Sequence, residues 1–312
     1  MSNQYITAEL IIPSNLNLHH ILIVMYNIQM KIDGKEIAAH IFENLTSRVK
    51  DLSEEGVTPH LAVILVGDDE SSKAYVRQKE LKIGEIGAAI TVHRLKTSVT
   101  QEELLTLIQT LNHEPTVHGI IIQRPLPGHI DGEAITNATE PSKDVDGFCT
   151  ESPFDPPIAI AVWKILKEIH RKNSASTMPV ADWLKSHKVV IMGKGKTAGL
   201  PIGLYFKKMG VPFTVIDSST QNRDELIATA DILISAVGKR GVLKGLSFKH
   251  GAVIIGVGMF KNDEGKLEGD YIEDDVINKI SFYTTVPGGV GPVNVAMLLV
   301  NLVQAAETNN SY

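Results

Sequence analysis

From Gly34 onward, apolar side chains recur every three or four positions, at Ile37, Ile41, Leu45, Val49 and Leu52. That spacing marks one face of a helix. Residues 61–66 are an unbroken apolar run closed by Gly67, the pattern of a strand covered on both faces. Ser71 or Ser72 is placed to cap a helix reaching about Gly84. Leu104, Leu107, Ile108 and Leu111 stripe another helix, and 117–122 is a second buried strand. Beyond Pro156 the rhythm repeats. Strands are predicted over 189–192, 213–216, 232–236 and 252–257, with a helix over 201–210 and an apolar helix over 295–306. Strand–helix alternation twice over predicts an α/β chain of two domains with mostly parallel sheets. The Pro- and Ser-containing stretch from Gly147 to Pro157 is the natural boundary between them.

Composition narrows the class. The 312 residues leave room for two domains of roughly 150 residues each. Thirty Lys and Arg stand against 36 Asp and Glu, a net charge of −6, so no basic excess exists to hold a nucleic acid. One cysteine, Cys149, can form no internal disulfide, and eleven histidines show no metal-ligand spacing. A reducing, cytoplasmic setting and no bound metal are expected. Residues 10–30 are rich in Ile and Leu, but Asn15, Asn17, His19, His20 and Asn27 interrupt them. The clean stretch is far shorter than the roughly 20 residues that cross a bilayer, so no membrane partner is expected. The folded unit is expected to open near Met30, with 1–29 either an extension or an extra packing segment.

Five segments could carry chemistry. The turn Gly193-Lys194-Gly195-Lys196-Thr197-Ala198-Gly199 follows a strand and opens a helix, where backbone N–H groups and the helix dipole favour a phosphate. A nucleotide P-loop is excluded because its first glycine would fall on Val190. A dinucleotide site suits the turn better, since a second strand ends at Asp217, about 20 residues on, where an acid can meet a ribose hydroxyl; a plain strand-to-helix turn is the alternative. Ser72, Tyr75 and Lys79 share one helical face, open to a flat ligand or to solvent alone. Gln123 to Pro127 leaves the carboxyl end of a buried strand, where α/β sheets place ligands. Lys143-Asp144-Val145-Asp146-Gly147 gathers two carboxylates and a lysine, to bind a heterocycle's donors or to form a solvated turn. Pro287-Gly288-Gly289-Val290-Gly291-Pro292 allows close backbone approach to a ligand.

Taken in order, these segments resemble the bifunctional methylenetetrahydrofolate dehydrogenase/methenyltetrahydrofolate cyclohydrolase (FolD-type) family. Its S-x-x-Y-x-x-x-K falls on Ser72, Tyr75 and Lys79, its Q-L-P-L-P on Gln123 to Pro127, its K-D-V-D-G on Lys143 to Gly147, and its P-G-G-V-G-P on 287–292. The resemblance implies oxidation of 5,10-methylenetetrahydrofolate with a nicotinamide cofactor (NADP, with NAD open), then hydrolysis to 10-formyltetrahydrofolate. It implies catalytic roles for Lys79, Gln123, Tyr75 and Asp146. Substrate contacts fall to Ser72, Tyr75, Asp146, Pro287, Gly288 and Gly289, and cofactor contacts to Gly193, Lys194, Gly195, Gly199, Asp217, Ser218 and Met259. It further implies a folate-binding domain over 30–148, rejoined by a C-terminal helix over 293–312, and a Rossmann-like NAD(P)-binding domain over 149–292. The active-site cleft would lie between them, and a homodimer would form through the second domain.

Departures concentrate in the second half. Gly193-Lys194-Gly195 replaces the family's G-R-S, losing a hydroxyl and exchanging a forked guanidinium for a point charge. Gly256 to Phe260 stands in place of D-x-G-I-N, Pro156 to Ala159 in place of P-C-T-P, and Val293-Asn294 in place of M-T. Asp217 replaces a histidine and would repel a 2′-phosphate, while Lys194 would attract one. Three other readings stand beside the bifunctional enzyme. They are a cyclohydrolase with a weakened dehydrogenase, an unrelated nicotinamide dehydrogenase, and a non-catalytic folate-binding protein.

Overall fold

The computed structural model describes residues 30–173, 177–262, 264–276 and 280–310. The expectation for 1–29 lies outside the described residues. The first half runs β1 (Met30–Ile32), α1 (Gly34–Glu54), β2 (His60–Val66), α2 (Glu70–Glu85), β3 (Ala89–Leu95), α3 (Gln101–His113), β4 (Gly119–Ile122) and α4 (Gly132–Asn137). After it come α5 (Pro157–Asn173), α6 (Val180–Lys185), β5 (Val189–Met192), α7 (Gly199–Lys208), β6 (Thr214–Ile216), α8 (Arg223–Ala228) and β7 (Ile232–Ser235). The chain closes with β8 (Ala252–Gly256), β9 (Met259–Lys261), β10 (Leu267–Gly269), α9 (Glu273–Val276), β11 (Ile280–Thr284) and α10 (Val290–Asn310).

The described strands form two parallel sheets and one hairpin. The smaller sheet has the order β3-β2-β4, and the larger β1-β11-β8-β7-β5-β6. Every pairing within them is parallel, while β9 and β10 pair antiparallel. The predicted α/β class with parallel sheets therefore holds. Strand β2, central and buried along nearly all its length, is the apolar run at 61–66. Its neighbour β3 is an edge strand, half-buried and mixed in character, and gives no comparable signal.

Both sheets reverse their strand order beside a segment whose sequence suggests chemistry. The chain runs from β5 out to β6 and returns to β7 on the other side of β5. The carboxyl ends of β5 and β7 thus border a crevice of the kind in which open α/β sheets bind ligands. In the smaller sheet β2 lies between β3 and β4, and Gln123 follows directly from β4.

Three boundaries differ from the sequence expectations. Met30–Ile32 opens the chain expected for the first domain, yet β1 pairs with β11 as an edge of the larger sheet, Met30 opposite Phe282. Helix α10 begins inside the glycine loop, five residues earlier than its apolar run. Its Val290, Val293 and Met297 enter the core of the larger sheet, while Leu298, Leu299, Leu302 and Val303 enter that of the smaller. It is long and apolar enough to cross a membrane by length and composition; its apolar side chains fill two protein cores instead. Each fully buried Leu or Val there contributes about 1.5–3 kcal/mol relative to exposure. Finally, Asp69 and not a serine caps α2, because its carboxylate accepts the Ser72 backbone N–H at 2.7 Å.

Candidate active site

Tyr75, Lys79, Gln123 and Asp146 line one cleft of about 550 Å³ between the two sheets. Tyr75 and Lys79 project from α2, four residues apart on one face. Gln123 is held by a backbone bond to Ile64, its N–H donating at 2.9 Å. Its side-chain nitrogen donates to the Arg124 carbonyl at 2.9 Å, which turns the amide oxygen toward Lys79. Lys79 Nζ donates to that oxygen at 3.0 Å.

The Lys143–Gly147 segment divides its labour. Lys143 is buried, and its ammonium donates to the carbonyls of Leu111 at 3.0 Å and Glu114 at 2.7 Å, closing the carboxyl end of α3. Asp144 is buried as well and accepts the Cys149 N–H at 2.6 Å. Asn301, from α10, donates to the Val145 carbonyl at 2.9 Å and the Asp155 carbonyl at 3.1 Å. With its neighbours fixed in this way, Asp146 alone faces the cleft.

Burial sets the charges of these groups. Loss of water pushes the Lys79 ammonium below the ordinary lysine range, and the weaker attraction of Asp146 opposes this. Loss of water pushes Asp146 up, against Lys79 and then Arg124. Burial also raises the Tyr75 phenol, keeping it neutral. The group offers a proton-exchanging amine, an amide to orient it, an acceptor for ring N–H donors and an aromatic face.

The opposite wall is built mainly from backbone. Gly193 has φ +104, and a Cβ there would lie 2.4 Å from the Ala236 carbonyl oxygen. A Cβ on Gly199 would lie 2.0 Å from the Gly193 carbonyl oxygen. Only glycine lets the β5 and β7 loops touch and α7 start so close to the turn. Thr197 and Ala198 of this turn line the cleft, as do Met259, Gly288 and Gly289. Gly195 has open space where its Cβ would be. A strand-end turn leading into a ten-residue helix, with a cradle that a Cβ would fill, fits the phosphates of a dinucleotide.

Not every predicted site residue faces this cleft. Ser72 is buried, its hydroxyl donating to Asp69 at 2.9 Å, so it braces the start of α2 and lies outside the cleft lining. Pro287 lies outside the lining, next to Gly288 and Gly289. Lys194 and Asp217 form an ion pair at 2.5 Å beside the Gly193 turn. Ser218 borders a separate exposed hollow of about 390 Å³. A larger hollow of about 670 Å³, lined by Cys149, Lys196 and Tyr205 among others, shares only Arg124 and Phe148 with the motif-bearing cleft.

Asp270 is absent from the sequence reading. It is fully buried and accepts hydrogen bonds from Ser235 Oγ (2.6 Å) and from the backbone N–H groups of Val237 (2.9 Å), Gly238 (2.6 Å) and Lys239 (3.0 Å). It thereby fixes the loop after β7, of which Ala236, Val237 and Gly238 line the cleft. A lone acid after a short hairpin strand carries no pattern, and its role is visible only in three dimensions.

Residues 32–146 match the model for the tetrahydrofolate dehydrogenase/cyclohydrolase catalytic domain, and 159–310 that for its NAD(P)-binding domain. The chain belongs to the tetrahydrofolate dehydrogenase/cyclohydrolase family. It is 38% identical over 286 residues to bifunctional protein FolD of Campylobacter concisus, covering 89% of this chain and 98% of that protein. The FolD structure from Campylobacter jejuni superposes with a TM-score of 0.82 at 36% identity, covering 90% of this chain and 99% of that one. FolD from Trypanosoma brucei, solved with NADP and an inhibitor, gives 0.80 at 30% identity, covering 90% and 98%. Within this tetrahydrofolate dehydrogenase/cyclohydrolase chain, the NAD(P)-binding match takes in α10, whereas packing divides that helix between both cores.

Proposed function

We propose that this chain is a bifunctional one-carbon folate enzyme. It oxidises 5,10-methylenetetrahydrofolate to the 5,10-methenyl form and hydrolyses that product to 10-formyltetrahydrofolate. The observation that carries the reading is the meeting of Lys79, Gln123 and Asp146 with the Thr197–Ala198 end of the glycine turn in one cleft.

In this reading Tyr75 stacks on the pterin and Asp146 accepts its amino and ring N–H donors. The glycine turn and the Gly288–Gly289 loop orient the cofactor and exclude water from the reacting carbon. When bound, NAD(P) supplies the hydride acceptor for the methylene carbon. For hydrolysis, water adds to the electrophilic methenyl carbon and gives up a proton. Lys79, its pKa lowered by burial, takes that proton as an amine. It returns the proton to the pterin nitrogen as the carbon–nitrogen bond breaks, and the hydroxyl proton left on the adduct passes to solvent as the formyl C=O forms. Gln123 holds the amine in line through its amide oxygen.

The same reading includes a cytoplasmic homodimer joined through the NAD(P)-binding half. Leu204 on α7 and Val215 on the edge strand β6 are exposed apolar residues of that half and support such a contact; sedimentation of the purified chain tests it. For the activity, methylenetetrahydrofolate is mixed with the enzyme and either dinucleotide, and reduced-cofactor absorbance is followed. Decay of added methenyltetrahydrofolate is followed separately. Both signals are expected. Hydrolysis without reduction of either dinucleotide would leave a monofunctional cyclohydrolase.

A further inference from the structure

We propose that this enzyme selects NAD over NADP, and that Asp217 is the specificity-determining residue. The inference rests on the assignment of the glycine turn as the dinucleotide site. From the sequence, Asp217 and Lys194 pull in opposite directions. Their geometry decides between them.

Asp217 immediately follows β6, and the backbone N–H of Gly193 donates to the Ile216 carbonyl at 2.8 Å, so the acid sits against the turn. In dinucleotide-binding folds, an acid at the end of this second strand accepts the ribose 2′-hydroxyl. Here the carboxylate is fixed on both oxygens. One accepts the Ser219 N–H at 2.8 Å and the Ser219 hydroxyl at 2.6 Å; the other meets Lys194 Nζ at 2.5 Å. The Thr220 hydroxyl accepts the Asp217 N–H at 3.0 Å and holds the loop in the same shape. Lys194 and the two hydrogen bonds from Ser219 keep the carboxyl ionised, well below the usual range.

The cation that could welcome a phosphate is already paired with the acid, through a side chain that is 73% exposed. A 2′-phosphate placed here would face a carboxylate that it must displace from its lysine, while a 2′-hydroxyl can donate to that carboxylate with the ion pair intact. Further along the loop, Arg223 is paired with Asp224 at 3.3 Å, with Glu225 next in sequence. Counting Asp217 and its partner Lys194, three carboxylates stand along this segment against one guanidinium and one ammonium, a net charge of −1. Like-charge juxtaposition of this kind is a strong means of rejecting a wrong ligand.

The test is calorimetric titration of the full-length enzyme with NAD and with NADP, without folate, so that binding is read apart from turnover. Wild type should bind NAD at least about tenfold more tightly than NADP. Asp217→Asn keeps an acceptor for Ser219 and releases Lys194, so NADP should gain about tenfold while NAD loses a few-fold. Asp217→Ser is the second variant should the first fold poorly, and the same reversal is expected of it. Equal affinities in wild type, tighter NADP binding, or an unchanged ratio in a folded variant would overturn the selectivity. Binding of neither dinucleotide by wild type would instead overturn the cofactor assignment, and this inference with it.

Discussion

On the wall of the cleft that we assign to the pterin, the proposed chemistry rests on side chains: an ammonium, a carboxamide and a carboxylate within one partly desolvated group. On the wall that we assign to the cofactor, it rests on backbone, with the Gly193 turn against the Ala236 loop and Asp270 behind it. The two walls tolerate change differently. Replacing a side chain on the first is expected to delete a chemical step and leave the fold standing. On the second, the same number of atoms added or removed moves a loop.

The largest effect should separate the two activities. Lys79→Met is expected to lower methenyl hydrolysis by about 10²- to 10⁴-fold, with dinucleotide binding unchanged by calorimetry. Near-normal hydrolysis would end the case for Lys79 as the proton carrier. Gly199→Ala should do the reverse. The new methyl meets backbone 2.0 Å away, so dinucleotide binding should fall below detection while hydrolysis of added methenyltetrahydrofolate persists. Retained cofactor binding would show that the turn has slack.

A smaller effect is expected behind the wall. Asp270→Asn leaves one oxygen acceptor and introduces an N–H₂ group facing backbone donors. Charged hydrogen bonds are worth roughly 1.5–3 kcal/mol each, and loss of one should lower the melting temperature and raise the cofactor KM about tenfold. An unchanged KM with a lowered melting temperature would make Asp270 purely a fold residue. The finest test is of sign. Asp146 favours the protonated form of Lys79. In Asp146→Asn the Lys79 pKa should fall further, moving the acid limb of the residual hydrolysis to lower pH. A shift to higher pH would mean that the two groups do not communicate.

Legibility in the sequence followed the same divide. Tyr75, Lys79, Gln123 and Asp146, which line one cleft, stand out in the sequence because each is a polar side chain at a fixed spacing, on a helix, at a strand end or in a short loop. Ser72 belongs to the same motif, yet its hydroxyl is turned to Asp69, since a motif records which residue is present and not which way it points. Lys143 and Asp144 are likewise inside a motif and turned away from the cleft. On the cofactor side the glycines were readable as a turn, but the direction of the Lys194–Asp217 contest needed a distance. Asp270 and Asn301 act through backbone groups more than 30 and 140 positions away respectively, and no local pattern announces such a bond. The edge strand β1 was missed for a related reason: three residues carry too little periodicity to be recognised apart from the strand they join.

The opening strand lies in the sheet of the second half, and the closing helix lends its flank to both interiors. A cut in the linker near Pro156 would therefore not release two portable modules: the amino-terminal fragment would lose α10, and the carboxyl-terminal fragment would lose an edge of its sheet. Exchange of either half between homologues has to carry these crossing segments along, and laboratory recombination of this scaffold should succeed at loop tips such as Gly56 before it succeeds at the linker.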